Sequence, residues 1–363
     1  MAIPFSEEEL MVTEVIPEAK NPRFEHYAYP ITPREEFLRT YSGNPEWLFT
    51  GYEIQPFHPS VVPDNVARGF VCESGSFDPL VQAGGKDMFG IEWTYIPAVG
   101  GSMEAEGMHL FDNANDWKSA LVFPDVDSWD WEGSAKRNEK FIKQNMGIQP
   151  WIFTGWFERL ISFMGFEDAA VSLLDEDQED ALKELMMALT DTYINIIDHF
   201  VKYYEHVDGI FVHDDWCSQV APFFSKDVAE EFFVPAMRKL TDHCHSLGLN
   251  AELHSCGCHG SVQIENIIAA GWDAWMPQPL NDIESLWEQY GDRILLSPVL
   301  GIDLKTMSEE EQITAVDRSV ERFCTTPGKS VCLNIVDRSI LTPLIRRELY
   351  VKSRQAYSKW PKA

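Results

Sequence analysis

From about residue 150 to the C-terminus, the sequence alternates between short apolar segments and longer segments with helical spacing of apolar residues. The apolar segments have the length and composition of buried strands, and repeated strand–helix units predict parallel strands joined by right-handed helical crossovers. The predicted strands cover 150–154, 207–213, 250–256, 272–277, 293–299 and 330–336, and the predicted helices cover 177–205, 225–248, 261–271, 282–291, 308–324 and about 340–357.

Two architectures accommodate such a repeat. A doubly wound sheet normally carries a Gly-rich phosphate loop after an early strand, and the sequence has no G-x-G-x-x-G motif. We therefore expect an α/β fold of the (β/α)8 TIM-barrel type, which can form one catalytic domain in a chain of 363 residues. Residues 1–60 are expected to form an N-terminal extension and residues 61–363 the barrel, with long loops covering its active-site end.

Charge and composition exclude several classes of protein. The net charge of −29 argues against binding to nucleic acid or to an anionic membrane surface, and it disfavours a heavily anionic substrate unless a local basic pocket exists. The first residues lack the basic and apolar regions of a signal peptide, and no apolar run has membrane-spanning length. The 7 cysteines are an odd number, which is typical of thiols in a reducing cytoplasm.

Polar residues follow several predicted strands, where a TIM barrel carries its active site. His213, Asp214 and Asp215 end the second predicted strand and are candidate catalytic residues. The polar candidates could instead be ordinary loop residues, and the tryptophans could instead pack in the core; both alternatives remain open. The candidate substrate-binding residues at or near the strand ends are Trp156, Glu158, Trp216, Gln278, Asp303 and Asn334.

His254 and Cys256 form the most specific pair. Residues i and i+2 of a strand face the same side, so both side chains are expected to point into the barrel mouth. Imidazole and thiolate together suit zinc, and a catalytic zinc takes three protein ligands and leaves one position open. Cys332, at another predicted strand end, is the candidate third ligand, whereas Cys258 and His259 are expected to turn away with the following loop.

Several segments resemble the uroporphyrinogen decarboxylase superfamily over about residues 150–360, namely "VDGIFVHDDWCSQVAPFFSKDVAEEFFVPAMRKL", "LHSCG", "AAGWDAWMPQPLNDI" and "GDRILLSPVLGID". In its cobamide-dependent methyltransferase branch, H-x-C and a cysteine some 75 residues later bind zinc. His254, Cys256 and Cys332 match that signature with 75 intervening residues. The resemblance implies a (β/α)8 barrel with zinc on these three residues and a fourth position that is open or filled by Asp214 or Asp215.

Three functions follow as hypotheses. The first is a zinc-dependent methyltransferase that moves a methyl group between a small molecule, such as a methoxylated aromatic in an O-demethylation, and the cobalt of a corrinoid protein. The chain has no D-x-H-x-x-G motif, so the corrinoid (cobalamin) would arrive on a partner protein, as in anaerobic multicomponent systems. The second is a metal-free decarboxylase with Asp214 or Asp215 as general acid, although the family's Arg-bearing N-terminal motif is missing. The third is a non-catalytic protein that binds a corrinoid or another tetrapyrrole.

Overall fold

The structure, a computed structural model, is mixed α/β with parallel strands. It describes residues 3–16, 24–333 and 338–361, apart from the side chains of residues 16, 24 and 338. The chain forms two compact units: a terminal unit of Met1–Gln55, Gln144–Gly147 and Asp282–Ala363, and a central unit of Pro56–Lys143 and Ile148–Asn281. The predicted division at residue 60 stays a prediction.

A parallel sheet organises the central unit and carries the candidate site. Neighbouring strands pair in parallel, and His254 lies in register with His213 on one side and with Met276 on the other. The sheet strands are, in spatial order, Trp151–Ile152, Gly209–His213, Asn250–Ser255 and Ala274–Pro277. All of them fall within predicted strands, which confirms the parallel interpretation for this part of the chain.

The helices of the central unit confirm the predicted ones with one difference. The predicted helix 225–248 begins at its expected cap, Ser225, but a π-helical turn, Ala229–Phe233, separates Lys226–Val228 from Val234–Ser246. Pro235 has no N–H to donate to the preceding turn, which accounts for the break in the α-helical pattern. No helix among the described residues combines the length and apolar character needed to cross a membrane. The other helices are Pro63–Arg68, Pro79–Gln82, Trp117–Ala120, Trp131–Asn138, Trp156–Met164, Phe166–Ser172, Glu179–Tyr203 and Ile264–Ala269, with 3-10 turns at Ala114–Asp116 and Val126–Ser128.

Residues 56–143 add an antiparallel sheet of the strands Gly85–Lys86, Glu92–Ile96 and Gly101–Glu104. A buried cation joins this region to the helix Trp156–Met164: Arg159 is fully buried and forms ion pairs with Asp64 and Asp87. A buried charge requires such partners because burial removes its hydration. Gly69 ends the helix Pro63–Arg68 at φ 81°, and a Cβ there would lie 2.8 Å from the ring of Tyr95, so glycine is required on both counts.

The terminal unit contains further parallel pairing. Phe49 bridges Cys332, and Leu296 bridges Val331, both in the parallel sense. A buried Arg354 binds the carboxylates of Glu9 and Glu46. The strand Val12–Ile16 pairs in the antiparallel sense with Phe24–Tyr27. The other strands are Ile54–Gln55, Leu295–Leu296 and Gly147–Ile148, of which the last has its first residue in this unit and its second in the central unit. The helices are Pro33–Tyr41, Ile283–Tyr290, Glu309–Phe323 and Pro343–Tyr357, with 3-10 turns at Glu7–Leu10 and Arg338–Ile340.

Candidate metal centre

Three side chains of types that can bind a metal converge at the carboxyl ends of two neighbouring strands. One ligand atom each from His213, His254 and Cys256 lies within 4.8 Å of the others. The Nε2 atoms of His254 and His213 are 3.3 Å and 3.9 Å from the Cys256 sulfur. The two histidines are register partners, so they share one face of the sheet, and their rings stack at 5.2 Å. The predicted common orientation of His254 and Cys256 is confirmed.

His254 has the protonation pattern of a metal ligand. Its Nδ1 lies 2.7 Å from the carbonyl oxygen of Met276, which can only accept, so the ring proton is on Nδ1. Burial, assisted by the nearby His213, lowers the pKa of His254 to about 4. The ring is therefore neutral near pH 7, with the Nε2 lone pair directed towards Cys256.

His213 is oriented by a carboxylate. Its Nδ1 lies 2.8 Å from Glu158 Oε2 and 3.2 Å from the carbonyl oxygen of Phe153, so Nδ1 is again the donor. Burial alone would lower the pKa of His213, but the charge of Glu158 and the hydrogen bonds with Asp215 and Cys256 raise it well above its ordinary value. A cation bound at Nε2 would take the place of the second ring proton.

Asp215 closes the cluster on the opposite side of His213. Its Oδ1 accepts the backbone N–H of Cys256 at 2.6 Å and faces His213 Nε2 at 3.1 Å. Burial would raise the pKa of Asp215, but these hydrogen bonds and the His213 charge lower it below its ordinary range. Glu158, His213 and Asp215 form a second group within 4.8 Å. Because Glu158 and Asp215 bind opposite nitrogens of one ring, we interpret that group as a hydrogen-bonded chain.

Asp214 occupies a structural position behind the site. Its carboxylate is fully buried and accepts the backbone N–H groups of Phe157 and Glu158 and the indole N–H of Trp216. Burial raises the pKa of Asp214 to about 7. Gly155 permits this arrangement, since a Cβ there would lie 2.4 Å from the Cβ of Asp214. The aspartate thus clamps the first turn of the helix Trp156–Met164.

Trp156 and Trp216 pack in the core instead of facing a ligand. Both side chains are fully buried. The indole N–H of Trp156 donates to Thr190 Oγ1 at 2.9 Å, and its ring meets Tyr193 edge-on. The structure thus places both rings in the core, which is the alternative to substrate binding that the sequence left open for them.

The loop after Cys256 is held by its own polar contacts. Gln278 Oε1 accepts the N–H of Gly257 at 2.9 Å and that of the Gln219 side chain at 3.0 Å. His259 is fully buried with its Nε2 3.1 Å from the carbonyl oxygen of Cys256, and burial lowers its pKa to about 4. Gln278 and His259 therefore shape the loop, as expected for His259.

The remaining predicted site residues belong to the terminal unit. Cys332 is buried, and its N–H donates to the carbonyl oxygen of Leu296 at 3.1 Å. Its assignment as a metal ligand stays a prediction. The exposed Asp303 accepts from the backbone of Lys305 and the hydroxyl of Thr306, which organises a turn. Asn334 lies outside the described residues.

Two features of the site were not predicted. His213 was identified as a candidate catalytic residue, and its place in a possible metal-binding group was not predicted; its position at the end of a strand next to that of His254 is the signal that points to it. Arg68 lies beside Glu158, with its Nη2 3.7 Å from Glu158 Oε1. It belongs to the irregular first part of the chain, where no periodic pattern places residues in space.

Comparisons with known proteins extend only to the fold. No protein-family model and no curated protein matches the chain. The structure is similar to that of a methyltransferase from Methanosarcina mazei, with a TM-score of 0.56 and 14% identity over 89% of this chain and 98% of that one. A GH18 chitinase, ChiB, from Flavobacterium johnsoniae aligns over 68% of this chain and 83% of its own at 11% identity, with a TM-score of 0.35. Of the two, the methyltransferase alone exceeds 0.5.

Proposed function

We propose that the chain is a zinc-dependent methyltransferase that moves a methyl group between a small-molecule donor and the cobalt of a corrinoid protein. The convergence of His213, His254 and Cys256 carries this proposal. The fold likeness to a methyltransferase and the H-x-C signature support it. O-demethylation of a methoxylated aromatic is the reaction we favour. The corrinoid would come on a partner protein, in the cytoplasm.

The donor set fits zinc. Two imidazoles and one thiolate are borderline-soft ligands of the kind that zinc prefers, and three of them leave a position open. Each histidine donates its other ring N–H to an oxygen, from Glu158 or from Met276, which is the usual support of a metal-bound imidazole. Asp215, whose carboxylate lies 3.1 Å from His213 Nε2, is the candidate for a fourth position. Zinc in this place would supply a Lewis acid that polarises an ether oxygen or stabilises a thiolate.

The protein's own residues would hold this centre rigid. Met276 keeps His254 in one tautomer, and Glu158 fixes the orientation of His213. Asp215 accepts the backbone N–H of Cys256 and so sets the position of the sulfur at the end of its strand. Such support limits the reorganisation needed when an ion or substrate binds.

We also propose that the full architecture is a (β/α)8 barrel. The parallel sheet of the central unit supports this proposal. Parallel bridges within the terminal unit, between Leu296 and Val331 and between Cys332 and Phe49, are further support. In such a barrel, the carboxyl ends of the strands carry the active site, and His213 and His254 lie at or near such ends.

Metal analysis of protein purified without added zinc tests the proposal. We expect about one zinc per chain, as for a single catalytic site, lost in His254→Ala and Cys256→Ala. Cys244→Ala, which alters a buried cysteine on the helix Val234–Ser246, is the matched control and should keep zinc. Active protein without metal would contradict the proposal.

Methyl transfer is tested by the visible spectrum of a Co(I) corrinoid protein mixed with the chain and candidate ether, amine and thiol donors. Formation of methylcobalt with one donor class identifies the substrate, and no change with any donor counts against demethylation. A metal-free decarboxylase is the alternative, and the raised pKa of Asp214, about 7, favours it. The full burial of Asp214 opposes it, because a general acid must reach its substrate.

A further inference from the structure

Arg68 places a guanidinium group next to the support of the metal centre. We propose that Arg68 forms an anion subsite, so that the small molecule handled at this centre carries a carboxylate. This inference rests on the proposed function, because it names the substrate class of the same site. It supplies the local basic group that an acidic protein needs to bind an anionic substrate, given a net charge of −29.

The side chain of Arg68 is largely buried but makes no hydrogen bond with any residue that the structure describes. Its side chain is 14% exposed, and its Nε is buried without an acceptor. Glu158 Oε1 lies 3.7 Å from Nη2, beyond hydrogen-bond length, while Oε2 of the same carboxylate accepts from His213. Arg68 thus has the Glu158 carboxylate as a counter-ion but no hydrogen-bond acceptor among the described residues, so an acceptor supplied by a ligand would be bound favourably.

The guanidinium is also held in place before any ligand arrives. Its Cζ lies 4.8 Å from the ring centre of Trp93. The indole N–H of Trp93 donates to Asp87 Oδ2 at 2.9 Å, and the same oxygen binds the buried Arg159 at 2.6 Å. Arg68 therefore rests on a platform fixed by a buried ion pair. A pre-positioned planar fork of N–H groups matches the two oxygens of a carboxylate.

An apolar surface accompanies this cation. Phe70 is 37% exposed and stacks on Phe153 at 4.7 Å between ring centres. The carbonyl oxygen of Phe153 accepts from His213, so the exposed ring belongs to the surroundings of the same histidine. A cationic fork and an exposed aromatic ring, two residues apart in sequence, together fit a small aromatic or aliphatic carboxylate.

Calorimetric titration of the zinc-loaded protein with benzoate and with its neutral analogue benzamide tests the subsite. We expect benzoate to bind the unmodified protein and to bind Arg68→Met at least about tenfold more weakly, as for the loss of a charged hydrogen-bond pair. Benzamide binding should not change. Arg68→Lys keeps the positive charge but lacks the planar pair of N–H groups, so its affinity for benzoate should lie between those of the unmodified protein and Arg68→Met. Arg137→Met is the matched control, because Arg137 forms an exposed pair with Asp130.

Equal benzoate affinity in the unmodified protein and Arg68→Met would overturn the inference, and so would the absence of benzoate binding to the unmodified protein. Zinc content gives the second readout. Arg68→Met should keep its zinc; loss of zinc would make Arg68 a positioning residue for Glu158 and would overturn the subsite. If neither the unmodified protein nor any variant binds zinc, but the affinity for benzoate still falls in Arg68→Met, the proposed function fails and the anion subsite stands.

Discussion

Glu158, in the first turn of the helix Trp156–Met164, and His213, the last residue of the strand Gly209–His213, form a carboxylate–imidazole pair with 2.8 Å between Oε2 and Nδ1. The pair directs the opposite nitrogen of the ring towards Cys256. A histidine ligand that loses such a partner can rotate and becomes less basic, so its metal is bound more weakly.

Glu158→Ala is therefore expected to lower zinc affinity by about 10- to 100-fold without unfolding the protein. Competition with a chromophoric chelator measures this affinity. Glu184→Ala is the control, since Glu184 forms an exposed pair with Lys118. Unchanged zinc affinity in Glu158→Ala would show that His213 needs no carboxylate, or that it is not a ligand.

His213→Ala and Cys332→Ala distinguish two ligand sets. If the cluster of the central unit is the metal centre, His213→Ala loses zinc, because one of three converging donors is gone. Cys332→Ala loses zinc as well if the H-x-C signature and the downstream cysteine act together. Zinc stoichiometry of each purified variant decides between them, with Cys258→Ala expected to retain zinc. Retention in His213→Ala and loss in Cys332→Ala would favour the ligand set implied by the family resemblance.

The buried ion pairs of Arg159 are expected to be a major term in the stability of the central unit. Arg159→Met leaves the carboxylates of Asp64 and Asp87 buried without a counter-ion, which typically costs about 3–5 kcal/mol. Urea unfolding measures the loss. Arg137 is exposed, so Arg137→Met should lower the free energy of unfolding by less than about 1 kcal/mol. A similar small loss in both variants would contradict the importance of the pair.

Stability should fall as the pH drops below the ordinary pKa of histidine. Burial lowers the pKa of His58 to about 3, so the folded chain keeps this ring neutral where the unfolded chain protonates it. The contribution is complete above an unfolded pKa of about 6.5 and is lost between that value and the folded pKa. Between about pH 7 and about pH 5 the loss amounts to about 2 kcal/mol. Urea unfolding of the protein and of His58→Gln at both pH values should show a weaker pH dependence in the variant; equal slopes would contradict the assignment.

Gly155→Ala tests the close approach of Asp214 to the helix that follows. The added methyl group would lie 2.4 Å from the Cβ and 2.6 Å from the Cγ of Asp214, so one backbone segment must move. Overpacking of this kind costs about 1–3 kcal/mol. Gly101→Ala is the control, because its methyl group would meet the ring of Phe70 at an ordinary 3.7 Å. Thermal unfolding compares the two, and equal midpoints would argue against a tight contact at Gly155.

Much of the central sheet could be predicted because its information is local. Helical and strand periodicities are properties of short segments, and the common face of His254 and Cys256 follows from strand geometry alone. The role of His213 depends on the register between two strands that are far apart in sequence, since His213 and Cys256 are separated by 43 residues. No local pattern specifies that register. Arg68 depends on the packing of an irregular segment. Trp156 was assigned to a ligand because a strand end exposes some side chains; tertiary packing buried this one.

The ion pairs of Arg159 also constrain the order in which the chain can mature. Asp64 and Asp87 precede their cation by 95 and 72 residues. Because the chain is synthesised from the N-terminus, the antiparallel sheet and the helix Pro63–Arg68 leave the ribosome before Arg159 does. The two aspartates of this region have no counter-ion until that arginine has been made. The support of Arg68 by Trp93 and Asp87 is therefore complete only after the strand Trp151–Ile152 and the helix Trp156–Met164 have been made. The segment that carries Arg68 could not be transplanted into another protein as a self-sufficient module.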